Sequence, residues 1–96
     1  MIVAHSTYSR PLADEDKGLV AEHLAFIKQG FDDGTFVAAG ARQSSIGGVV
    51  LARGVSEDDL RRLMQQDPFV RVGLVDEYVM LPFDVSMTSI NALKEK

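Results

Sequence analysis

The chain opens on an alternation of sides. Over residues 1–8, Ile2, Ala4, Ser6 and Tyr8 fall on one face and Val3, His5 and Thr7 on the other, which is the period of a strand. Ser9, Arg10 and Pro11 break it. From 12 to 33 the period lengthens. Val20, Leu24, Ile27 and Phe31 stand four, three and four residues apart and make one apolar stripe on a helix. Asp14, Glu15 and Asp16 suit the positive end of its dipole, and Gly34 suits a left-handed cap beyond its last turn. Gly18 and Gly30 weigh against a straight, uninterrupted helix.

Residues 35–41, with Phe36, Val37 and small alanines, predict a second strand, 40–45 a loop, and 46–52 a third strand. Gly47 and Gly48 in that strand imply a bulge or a close neighbour. Ser56 then caps a helix, with Asp59 three residues on and Val55 placed to staple against Leu60. Leu60, Leu63 and Met64 form its buried face. Pro68 drives Asp67 out of the α region, so this helix ends near Gln66. Asp67 and Pro68 start a fresh turn as cap and first helical residue, and Gly73 stops it. Residues 74–83 predict the fourth strand and 84–96 a polar, partly helical tail. The order βαββαβ is the split βαβ arrangement of ferredoxin-like folds. It predicts an α+β domain whose antiparallel four-stranded sheet carries two helices on one face. The other face needs cover, and a small chain covers it most simply as a homodimer or higher homo-oligomer.

Ninety-six residues predict one domain, 1–96. Ten Lys and Arg against fourteen Asp and Glu leave a net charge of −4, which argues against a nucleic-acid partner. The chain is 46% hydrophobic and 25% charged, so a packed core is within reach and disorder is not expected. No apolar run is long enough to span a bilayer, and the start lacks a basic and then apolar leader pattern. These features predict a cytoplasmic domain with no membrane partner. With no cysteine there is no thiolate nucleophile or thiolate metal site. A core this small leaves little room for a deep pocket within one chain, which favours a site at a subunit interface.

The candidate chemistry is sparse. At about 100° per residue, His23 lies roughly 70° from the centre of the apolar stripe, at the border of core and surface. There an imidazole is partly desolvated yet reachable; the commoner role of such a histidine is to donate to a carbonyl. Asp67 can orient an imidazole and raise its basicity, but Asp before Pro at a helix start is also an ordinary cap. Both roles are compatible, one oxygen capping while the other faces a histidine. Asp33, ten positions beyond His23, is a poor alternative partner at about 15 Å along an unbroken helix. His5 is expected on the open sheet face, because a histidine under the helices would need a partner. Glu77 and Tyr78 are spare polar groups without an assigned role. Glu57, Asp58 and Asp59 suit a first helical turn rather than a metal. The histidines lack ligand spacing, Gly47 and Gly48 lack a phosphate-loop context, and Ser44 and Ser45 lack a nucleophile elbow. No metal and no cofactor are expected.

Three segments in order resemble the YCII-related family. EHLAFIKQG (22–30) is similar to its His-Leu helix motif, GTFVAAGAR (34–42) to its following strand, and QQDPFVRVGLV (65–75) to its Asp-Pro-aromatic segment. With Leu81, Pro82 and Phe83 the likeness covers nearly the whole chain. Arg42 stands where many members carry proline, and the loop 42–45 is short, which predicts a different pocket rim. The resemblance implies a ferredoxin-like fold pairing sheet to sheet as a dimeric α+β barrel. It also implies an active site on the motif histidine and an aspartate, here His23 and Asp67. Related proteins act in the breakdown of aromatic compounds, one as a dehydrochlorinase of a chlorinated hydroxyquinol, and the fold resembles that of muconolactone isomerase. The resulting expectation is a cofactor-independent lyase or isomerase on a small oxygenated, aromatic-derived molecule. In it His23 moves a proton and Asp67 orients it. A small-ligand-binding dimeric module without catalysis, and a purely structural pair, are the alternatives.

Overall fold

A computed structural model describes residues 1–94. Strand β1 spans Ile2–His5, helix α1 Lys17–Asp32, β2 Phe36–Ala41, β3 Gly48–Ala52, α2 Glu57–Met64, α3 Pro68–Arg71 and β4 Val79–Pro82. The strands form one antiparallel sheet in the order β2-β3-β1-β4. Ala4 pairs with Val50 on one side and Met80 on the other, and Ile2 with Ala52 and Pro82. This register puts Ile2, Ala4, Val50 and Ala52 into the layer under the helices, where Phe36, Leu60, Met64 and Phe69 complete the core. The alternate residues Val3, His5, Val49 and Leu51 point to the open face, as does Leu81 opposite Val3. His5 is therefore on that face, partly exposed.

A register shift in β2 between Phe36 and Ala38 has a consequence for the site. Phe36 pairs with Ala52, yet Ala39 pairs with Val50, so residues of opposite parity share the inner layer. Beyond the shift that layer carries only Ala39 and Ala41, with Gly48 opposite Ala41. Large core side chains therefore give way to small ones beneath α1. A cleft is left there.

Helix α1 is shorter than the pattern predicts. A single 3-10 turn, Asp14–Asp16, precedes it, because Arg10 clamps Asp16 with two hydrogen bonds of 2.8 and 3.0 Å. The guanidinium, with help from the Ala13 N–H, holds the Asp16 carboxyl at about 2. The segment 74–83 departs further, since only Val79–Pro82 is strand. Leu74 and Val75 are both buried, which pleated backbone does not allow for neighbours on a sheet open on one side. Val75 instead makes an isolated bridge to Tyr8. In the tail, Asn91–Leu93 form one 3-10 turn; positions 95–96 lie outside the described residues.

The two helical glycines have opposite meanings. A Cβ on Gly30 would lie 2.1 Å from the Phe36 ring, which Phe26 and Phe31 hold edge-on at 6.4 and 6.2 Å between centroids. A Cβ on Gly18 would meet nothing within 4 Å. Gly30→Ala gains about 1 kcal/mol of helix propensity but meets an overpacking cost of about 1–3 kcal/mol. We therefore expect Gly30→Ala to lower and Gly18→Ala to raise the urea midpoint, and two shifts of the same sign would refute this account.

Candidate active site

His23 sits in the second turn of α1 and Asp67 at the N-cap of α3, and the fold brings them together. His23 Nδ1 lies 2.7 Å from Asp67 Oδ1. The same Oδ1 accepts the Phe69 backbone N–H at 3.0 Å, so one oxygen both caps α3 and meets the histidine. Oδ2 accepts the Tyr78 hydroxyl at 2.6 Å. Asp67 is completely buried, yet three donors surround its two oxygens and no buried polar side-chain atom among the described residues is unpartnered. With Asp67 as the acceptor of all three bonds, Nδ1 carries a proton, and in the neutral imidazole the lone pair is then on Nε2.

Packing fixes the ring as firmly as the hydrogen bond does. Phe69 stacks on His23 with centroids 3.9 Å apart and planes 2° from parallel. Tyr8 meets Phe69 edge-on at 5.4 Å. The local sequence explains both contacts: Pro68 in the first helical position turns the chain so that Asp67 faces back and Phe69 faces α1. Nε2 makes no hydrogen bond within the described residues and keeps access to solvent. His23 lines a cleft of about 430 Å³ between α1 and the small-residue half of the sheet. Leu24, Ile27 and Phe31 form one wall, Ala39, Ala41 and Gly48 the floor. The whole stripe that reads as core, Val20 included, lines this cleft, and Leu24 and Phe31 are 58% and 43% exposed.

Tyr78, spare in the sequence, is the third member of the group. Burial first, and then its hydrogen bond to Asp67, push its phenol well above the ordinary 10.0. Burial and the Asp67 charge push Tyr8 in the same direction. A phenol raised on folding stabilises the native state below pH 10, and that contribution is lost as pH rises beyond it. With two tyrosines and no tryptophan, phenolate absorbance reads this directly. Native protein should show less phenolate at pH 10 than unfolded protein, whose two tyrosines are then about half ionised; two tyrosines both titrating at 10 in folded protein would contradict the burial. Nothing in the sequence marks Tyr78 beyond its place before the last strand. Asp33 stays at the end of α1, accepting from the Gln29 side chain at 2.9 Å. In α2, Glu57 pairs with Arg61 and Asp59 with Arg62.

No helix among the described residues is long and apolar enough to cross a membrane. No curated protein matches the chain. Among solved structures it is similar to 5-chloro-2-hydroxyhydroquinone dehydrochlorinase (TftG) from Burkholderia phenoliruptrix AC1100, determined in complex with 2,5-dihydroxybenzoquinone. The two align with a TM-score of 0.66 and 17% identity, over 88% of this chain and 94% of that one. At that identity the likeness speaks for the ferredoxin-like fold. The family model of the YCII-related domain matches residues 1–84, and the chain therefore belongs to the YCII-related family.

Proposed function

We propose that this protein is a cofactor-independent lyase or isomerase for a small oxygenated ring compound, with His23 as general base and acid. The carrying observation is the division of the imidazole: Nδ1 bound to a buried carboxylate, Nε2 without a partner among the described residues, on a ring that lines an apolar cleft. Nε2 takes a proton from a carbon or hydroxyl beside a carbonyl. It then returns the proton to another atom of the same molecule, or surrenders it as an anionic leaving group departs. Asp67 stabilises the imidazolium formed in between and keeps the ring in one tautomer. Tyr78, through Asp67, and Phe69, through stacking, are positioning residues. Apolar walls with one reactive nitrogen suit a flat, weakly polar ligand. The 2,5-dihydroxybenzoquinone bound to the similar dehydrochlorinase is a compound of that kind.

The test is a screen of hydroxylated and halogenated hydroquinones and of lactones, read by halide release and by deuterium uptake from solvent. Turnover by wild type and its loss in His23→Gln support the reading. Saturable binding without either signal leaves a ligand-binding module instead.

The site belongs to a dimer in this reading. Val79, Leu81 and Phe83 are 54%, 61% and 44% exposed, a row of apolar side chains at one edge of the sheet. Light scattering at micromolar concentration should give twice the chain mass, and Leu81→Lys should return it to one. A wild-type monomer would overturn this part.

A further inference from the structure

We infer that the Tyr8 hydroxyl is the oxyanion donor of the cleft, hydrogen-bonding the ligand oxygen that takes up charge when His23 removes a neighbouring proton. This rests on the proposed reading of the cleft, with His23 as its base. Tyr8 continues the face of Ile2, Ala4 and Ser6, the side of the sheet that the helices cover. Its side chain packs partly buried against the core and lines the cleft. The ring stands edge-on to Phe69 at 5.4 Å, and Phe69 in turn stacks on His23 at 3.9 Å. Its hydroxyl lies by the cleft floor, where a Cβ on Gly48 would meet it at 3.9 Å. No buried polar side-chain atom among the described residues lacks a partner, so this hydroxyl, which has none there, reaches solvent.

The cleft thus holds one free acceptor and one free donor. Its polar side chains are Tyr8, His23 and Tyr78, and the Tyr78 hydroxyl already donates to Asp67. Neutral His23 offers the lone pair of Nε2, and Tyr8 offers a hydroxyl proton. Proton removal beside a carbonyl uses both. The C–H electron pair becomes a C=C bond, the carbonyl π pair moves onto oxygen, and the proton goes to Nε2. Tyr8 donates to that enolate oxygen without giving up its own proton. The oxygen pair then re-forms the carbonyl as the proton returns to another carbon, or as a leaving group departs with its electrons. Burial, with the Asp67 charge second, raises the Tyr8 phenol above its ordinary 10.0, so near neutral pH it stays a donor. It is also held in place. The Tyr8 backbone N–H donates to the Ile46 carbonyl at 3.0 Å, and Tyr8 bridges to Val75. A donor fixed before charge develops needs no reorganisation when it does. The substrate class narrows accordingly, to rings whose reacting carbon adjoins a carbonyl.

The experiment compares 4-nitrophenol at mildly alkaline pH, where it is an anion that mimics the enolate, with its neutral methyl ether, 4-nitroanisole. Calorimetry gives the affinities, and chemical-shift changes at Phe69 and His23 place the probes. Wild type should bind the phenolate at least about tenfold more tightly than the ether, the scale of a hydrogen bond to a charged group. Tyr8→Phe should bring that ratio to within about twofold and keep the affinity for the ether. His23→Gln should keep the preference; its loss there and survival in Tyr8→Phe would assign it to the imidazole and overturn the donor. Because the hydroxyl has no protein partner, Tyr8→Phe should leave the urea midpoint where it is. A fall in that midpoint would mean that the fold itself uses the hydroxyl, and would overturn the inference. Equal binding of phenolate and ether by wild type, or a ratio unchanged in Tyr8→Phe, overturns the donor and spares the cleft. No response at Phe69 or His23 to either probe overturns both. Neither probe turns over, so the outcome is read apart from the substrate screen.

Discussion

Asp67→Ala should lower the free energy of unfolding by about 3–7 kcal/mol, through one lost cap at about 1 kcal/mol and two buried donors left unsatisfied at about 1–3 kcal/mol each. Those donors are the Tyr78 hydroxyl and His23 Nδ1, facing a side chain with no exposure at all. Domains of this kind have about 5–15 kcal/mol in total, so the variant should lose a large share of its stability and unfold at a much lower urea concentration. Asp67→Asn separates the cap from the charge. Its amide oxygen can still accept from Phe69 and His23, and its amino group can donate to Tyr78, whose hydroxyl then acts as acceptor. We expect less than half the loss in urea denaturation. Equal losses in the two variants would mean that the charge, and not the hydrogen-bond set, stabilises this corner.

His23→Gln should lower turnover by about 100- to 10,000-fold, the usual weight of a positioned general acid or base. Stability should fall by only about 1 kcal/mol, because the side chain is partly exposed and loses one hydrogen bond. The loss should lie in kcat, with KM nearly unchanged, since the substrate meets mostly apolar walls. Asp67→Asn should follow in the same direction by about tenfold or more, equal to about 1.4 kcal/mol in the barrier. Imidazole nitrogen shifts should then show a mixture of tautomers where wild type has the proton on Nδ1. A His23→Gln enzyme with wild-type turnover would end the acid–base reading, whatever its effect on folding.

The readable parts of this fold were those with local causes. Ser56 caps α2 by accepting from the Asp59 N–H, Pro68 and Asp67 start α3, and Gly34 turns the chain at positive φ, each for reasons confined to a few residues. Alternation in β1 likewise tells which side chains are buried, because a strand leaves each side chain only two directions. His23 and Asp67 were legible as candidates by type and position, at a core boundary and before a proline.

Their partnership is implied by the family resemblance and by no local rule, and the cleft is not legible at all. His23 and Asp67 are 44 residues apart, and their 2.7 Å contact exists because α1 and α3 pack on one face of the sheet. The stripe on α1 has the period of a core face, yet Leu24 and Phe31 look onto open space because the shifted β2 sets Ala39 and Ala41 opposite them. Periodicity reports what a helix offers; how much of it is buried depends on the size of the residues on another element. Tyr78 has no local mark as the third donor to Asp67, since its role depends on the chain leaving strand geometry at Leu74 and Val75. Local rules in the chain set where elements start, stop and turn. Distances between charges and the shape of empty space are sums over the whole packing, so the site took form only when the elements met.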